Sequence, residues 1–125
     1  MPQIQRANRS AKSELHLDYR RGKALTDQIK TIYANLDAAV VETLRLNANM
    51  IETARDIGLA PEKGQKLFNG LNKCASTMIE SREEFITAHR TATGIRMQTN
   101  QAETDWGCLP PPNSQVNEPH LQAVA

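Results

Sequence analysis

One short break, Gly58-Leu59-Ala60-Pro61, separates two long stretches of helical pattern, and it restricts this chain to very few folds. Upstream, residues 12–57 contain no proline and a single glycine, Gly22. Downstream, residues 62–96 contain no proline. A glycine just past the end of a helix takes the left-handed conformation that closes it. Proline suits the first position of the next helix, where its missing N–H has no acceptor to lose, and Glu62 there favours the positive helix end. A connection this short makes the flanking helices antiparallel neighbours.

The apolar spacing agrees. In the first stretch Leu25, Ile29, Ile32, Leu36, Val40, Leu44, Asn47, Ile51 and Ala54 recur about every 3.6 residues, the period of a straight α-helix, and only Asn47 is polar. In the second, Leu67, Leu71, Cys74, Met78, Ser81, Phe85, Ala88, Ala92 and Ile95 alternate steps of 4 and 3, the 3.5 repeat of a coiled-coil seam. Phe68, Ala75, Ile79 and Ile86 flank that seam. No stretch alternates with period two. The expected fold is therefore all-α, a long antiparallel helical hairpin with helices at about 12–57 and 62–96. A disordered basic arm at 1–10 precedes it, and an extended tail at 97–125 follows. Ser10 or Ser13 is the expected N-cap, and Gly22 a weak point of the first helix.

Each helix carries more apolar width than a two-helix seam covers. The surplus predicts either a short extra N-terminal helix through Leu15, Leu17 and Tyr19, or assembly of two chains into a four-helix bundle. The dimer is the favoured expectation.

A chain of 125 residues suits one domain. Its net charge of +1 hides three sections. Residues 1–30 carry a net +4, residues 31–96 balance, and residues 97–125 have no lysine or arginine and a net −3. Such a chain is suited to subunit-to-subunit attraction or to an acidic partner. No apolar run approaches the roughly 18 residues of a membrane span, and the N-terminus lacks a signal-peptide core. Two cysteines make no disulfide framework, so a reduced cytoplasmic protein is expected.

Three polar groups fall on the apolar face of the second helix. Arg82, His89 and Arg96 are spaced by seven and share one helical row. Charge there is costly unless paired. A turn at residues 59–60 sets Arg82 opposite Asp37, and pairing is the plain reading. The alternative is a slot for an anionic ligand lined by Arg82, His89 and Arg96. Ala92 and Thr93 occupy the i+3 and i+4 positions after His89, so no metal site and no cofactor is expected. No catalytic motif is present, and the chain reads as non-enzymatic.

The basic start, Arg6, Arg9, Lys12, Arg20, Arg21 and Lys23, is a candidate nucleic-acid contact, with only Tyr19 available for stacking. In the tail, Trp106, Cys108, Leu109 and Pro110 form the candidate partner-binding segment. The lone tryptophan either docks on the chain's own helices or is read by a protein partner. The Trp-x-Gly turn that marks one group of small secreted helical hairpins is missing: the turn is Gly58-Leu59-Ala60-Pro61, and Trp106 and Gly107 are adjacent in the tail. The expected function is that of an adaptor, regulator or small structural subunit, acting through self-association and a tail motif.

Overall fold

A computed structural model describes residues 15–111. It is all-helical: α1 spans Tyr19–Asp56 and α2 spans Pro61–Arg96, joined as a hairpin. An isolated parallel bridge links Leu15 to Thr99, and the described residues contain no strand.

Helix α1 starts later than the sequence reading expects, and Asp18 is the reason. Its carboxylate accepts the Arg21 N–H at 3.1 Å, and its carbonyl accepts the Gly22 N–H at 2.9 Å. That is an aspartate N-cap, in which a side-chain oxygen satisfies an amide with no intrahelical partner. Residues 15–18 are not helical, so Leu15 and Leu17 build no third helix. Ser10 and Ser13 lie outside the described residues.

The turn forms as its residues dictate. Gly58 has φ of 75°. Leu59 N–H donates to Ala54 O at 2.9 Å and Gly58 N–H to Arg55 O at 3.1 Å, the paired bonds of a Schellman closure. Pro61 then opens α2, with Glu62 in its first turn.

The described residues pack as two units, one of 15–29 with 86–111 and one of Lys30–Phe85. Along α1 the less exposed positions are Gly22, Thr26, Ile29, Tyr33, Leu36, Val40, Thr43 and Asn47. Along α2 they are Gly64, Phe68, Leu71, Ala75, Met78, Arg82, Phe85 and His89. Both rows alternate steps of 4 and 3. The α2 seam expected at Leu67, Cys74, Ser81, Ala88 and Ile95 is therefore displaced by one residue. Those five are exposed, and Phe68, Ala75, Arg82, His89 and Arg96 point inward instead. Cys74 is exposed, not a core residue. On α1, Leu25, Leu44 and Ile51 likewise lie outside the seam. A 3.6-residue row drifts around the helix relative to the 3.5-residue row along which two helices stay in contact. The most apolar row is thus not the contact row.

Within Lys30–Phe85 the seam is held by mixed contacts. Tyr33 and Phe85 meet edge to face at 5.0 Å. Arg82 Nε donates to Asp37 Oδ1 at 2.7 Å, and the same guanidinium lies 5.7 Å from the Tyr33 ring centre. Asn47 Nδ2 donates to the Phe68 carbonyl at 3.2 Å.

Candidate functional site

The unit of 15–29 and 86–111 contains the most developed site among the described residues. Its construction begins where α2 ends. Gln98 and Thr99 amides donate to the Ile95 and Arg96 carbonyls, and Thr99 Oγ1 caps the Arg96 carbonyl at 2.7 Å. The chain then meets the segment before α1. Asn100 N–H donates to Leu15 O at 3.3 Å, and Leu17 N–H donates to Asn100 Oδ1 at 2.6 Å. Gln101 Nε2 adds a bond to Leu17 O at 3.4 Å. These bonds give the polar backbone of both segments the partners it needs.

Two further turns deliver Trp106. Thr104 Oγ1 donates to Gln101 Oε1 at 2.6 Å, and Asp105 Oδ1 accepts the Gly107 N–H at 2.7 Å. Gly107 has φ of 80°, a conformation that suits glycine. Trp106 is only 7% exposed. Its ring lies 5.5 Å from Tyr19, centre to centre, and 6.0 Å from the Arg96 guanidinium. Its edge rests on Gly22, the one place along this part of α1 with no side chain to displace it.

Beside the ring is a half-open cleft of about 250 Å³. Leu17, Leu25, Ile29, Ala92, Ile95 and Trp106 make its apolar walls, and Thr26, His89, Thr93, Arg96 and Cys108 supply polar groups. Thr26 Oγ1 and Cys108 Sγ are 3.8 Å apart. Thr93 Oγ1 donates back to the His89 carbonyl at 3.1 Å. His89 is 6% exposed, and its burial lowers its pKa, favouring the neutral ring. Arg96 donates one terminal N–H to the Thr104 carbonyl and another to Met97 Sδ at 3.6 Å. Its Nε and the indole Nε1 of Trp106 are buried and have no hydrogen-bond partner.

The candidate residues read from the sequence fall in different places. Of the proposed anion row, His89 and Arg96 line the cleft, while Arg82 is engaged by Asp37. Of the tail segment, Trp106 is buried against its own chain, and Cys108, Leu109 and Pro110 are half-buried. Both cysteines are free thiols. Arg20 and Arg21 are exposed in the first turn of α1, and Lys23 pairs with Asp27 at 2.6 Å. Arg6, Arg9 and Lys12 lie outside the described residues. Among the described residues no cluster of three metal-ligating side chains forms, and no helix is long and apolar enough to cross a membrane.

Sequence reasoning passes over Gly22, Thr26, Thr93 and Asn100. One signal was available. Gly22 and Thr26 are one turn apart, and an isolated glycine inside a helical pattern often marks close packing.

Set against known protein families, characterised proteins and solved structures, the chain matches none of them.

Proposed function

We propose that this protein is a non-enzymatic helical assembly subunit, acting as an adaptor, regulator or small structural component that works by self-association. The observation that carries this reading is the apolar surface left on Lys30–Phe85. Leu44 is 45% exposed, Ile51 47%, Leu67 47% and Ile79 51%, and Leu46 and Met50 add to the surface. On the helical wheel, Leu44 and Ile51 lie on one side of the α1 contact row, and Leu46 and Met50 lie on the other. Helices of a bundle need apolar residues beyond the two-helix seam, and those of a lone hairpin do not. The occupant that fits is a second copy of the chain, because its own surplus rows have the same heptad spacing. Two hairpins then complete a four-helix bundle.

The near-zero net charge puts no strong self-repulsion in the way of such an assembly. The displaced seam of α2 supports it further. Leu67 and Cys74, one position off the intrachain row, form the start of a second heptad row on the same helix. Partner contacts through the tail would involve segments other than the Trp106 ring, which its own chain already holds.

Sedimentation equilibrium across micromolar concentrations tests the proposal. The expected result is a dimer, with Leu44→Glu plus Ile51→Glu giving a helical monomer. A wild-type chain that sediments as a monomer throughout overturns the reading.

A further inference from the structure

The cleft beside Trp106 carries an inference independent of self-association. We propose that it binds a small amphiphile, an apolar body of about one ring or a short acyl chain bearing a single carboxylate. Three observations converge on that chemistry. The walls contributed by Leu25, Ile29, Ala92 and Ile95 are hydrocarbon, so the body of the ligand must be apolar. The volume of about 250 Å³ exceeds the roughly 150 Å³ that admits benzene in an engineered cavity, and falls short of the roughly 300–1,000 Å³ of drug-sized sites.

The third observation fixes the head group. Arg96 Nε and Trp106 Nε1 are both N–H donors, both buried, and neither has a partner. A buried donor left unmade costs about 1–3 kcal/mol, more when charged, so two in one wall call for an acceptor. No carboxylate among the described residues pairs with Arg96, while four other basic side chains do have such partners. A ligand carboxylate supplies both missing features, an acceptor for two N–H groups and a counter-charge for the guanidinium. An alcohol supplies only the acceptor, and an amine opposes the charge. Hydrogen bonds from a charged donor to a carboxylate are about twice as strong as neutral ones.

Trp106 is the only tryptophan, so its emission and its indole N–H resonance report the site directly. The experiment titrates the full chain with octanoate, octan-1-ol and octylammonium. Octanoate should bind saturably, move the indole N–H resonance downfield, and bind at least tenfold more tightly than either analogue. Arg96→Gln should lose that tenfold advantage and retain the octan-1-ol affinity. Because Arg96 also holds the Thr104 carbonyl, a second variant keeps the test independent of tail docking. Ala92→Leu, at an exposed helical position in the cleft wall, should remove binding of both ligands and leave the melting curve in place. The proposal is overturned by an absence of saturable octanoate binding, by equal affinity for octan-1-ol or octylammonium, or by wild-type affinity in Ala92→Leu. It is overturned as well if octanoate binds only as sedimentation shows the protein dissociating, since a second copy would then be the occupant.

Discussion

A Cβ placed on Gly22 would lie 2.6 Å from Cη2 of Trp106, inside the contact distance of any two carbon atoms. The glycine of α1 and the tryptophan of the tail, 84 residues apart in the chain, therefore specify one another. The first consequence concerns Gly22→Ala. Alanine gains about 1 kcal/mol of helix propensity over glycine, and overpacking a filled site costs about 1–3 kcal/mol. Displacement of the ring should win. The variant is expected to show red-shifted Trp106 emission and greater quencher access, with a melting temperature at or below wild type. An unshifted emission with a raised melting temperature would mean the ring is not seated on Gly22.

The Arg82–Asp37 pair links α1 to α2 within Lys30–Phe85, with both side chains partly exposed. Exposed ion pairs contribute about 0.2–1 kcal/mol and weaken with salt. A double-mutant cycle of Arg82→Met and Asp37→Asn should return a coupling in that range that shrinks in high salt. The stacking of Arg82 on Tyr33 survives Asp37→Asn, so that single variant should be the milder of the two. A coupling of zero at low salt would remove this pair from the account of register.

Asn47 is the polar member of the α1 seam in both the sequence pattern and the structure. Its Nδ2 reaches the Phe68 carbonyl, but its Oδ1 is buried without a partner. Asn47→Leu removes that unmade acceptor and adds apolar burial, and should stabilise the fold by about 1 kcal/mol. A buried asparagine in a seam also penalises alternative registers and assembly states. The variant should therefore broaden the distribution of species in sedimentation. Chemical denaturation showing a loss of stability would contradict this reading of Asn47.

His89 sets the pH dependence. Its pKa is lowered by burial from an ordinary value near 6.5, so the unfolded chain takes up the proton first as pH falls. The stability associated with neutral His89 is complete above pH 6.5 and declines as pH drops through that value toward the depressed one. Urea midpoints should fall between pH 7.5 and 5.5 in the wild type, and the fall should be smaller in His89→Gln. An identical slope in both proteins would assign the acid sensitivity to other groups.

The sequence by itself determined the helices and their reversal. Those features rest on local physics: period, capping and backbone conformation. Gly58 and Pro61 close and reopen the helix through their own φ preferences, and neither needs a distant partner. The opposition of Arg82 and Asp37 follows from counting outward from that turn. What only the tertiary structure decided is which of two adjacent rows on α2 turns inward, and where the tail goes. Leu67 and Phe68, or Cys74 and Ala75, are near-equals to a pattern that scores apolarity, and a one-residue rotation of the helix exchanges them. The choice is made by what stands opposite: Asp37 for Arg82, and the Asn47 amide for the Phe68 carbonyl. The seat of Trp106 was hidden for the same reason. It depends on the absence of a side chain at Gly22 and on bonds from Asn100 and Gln101 to Leu15 and Leu17, contacts made across more than 80 residues that no local period encodes.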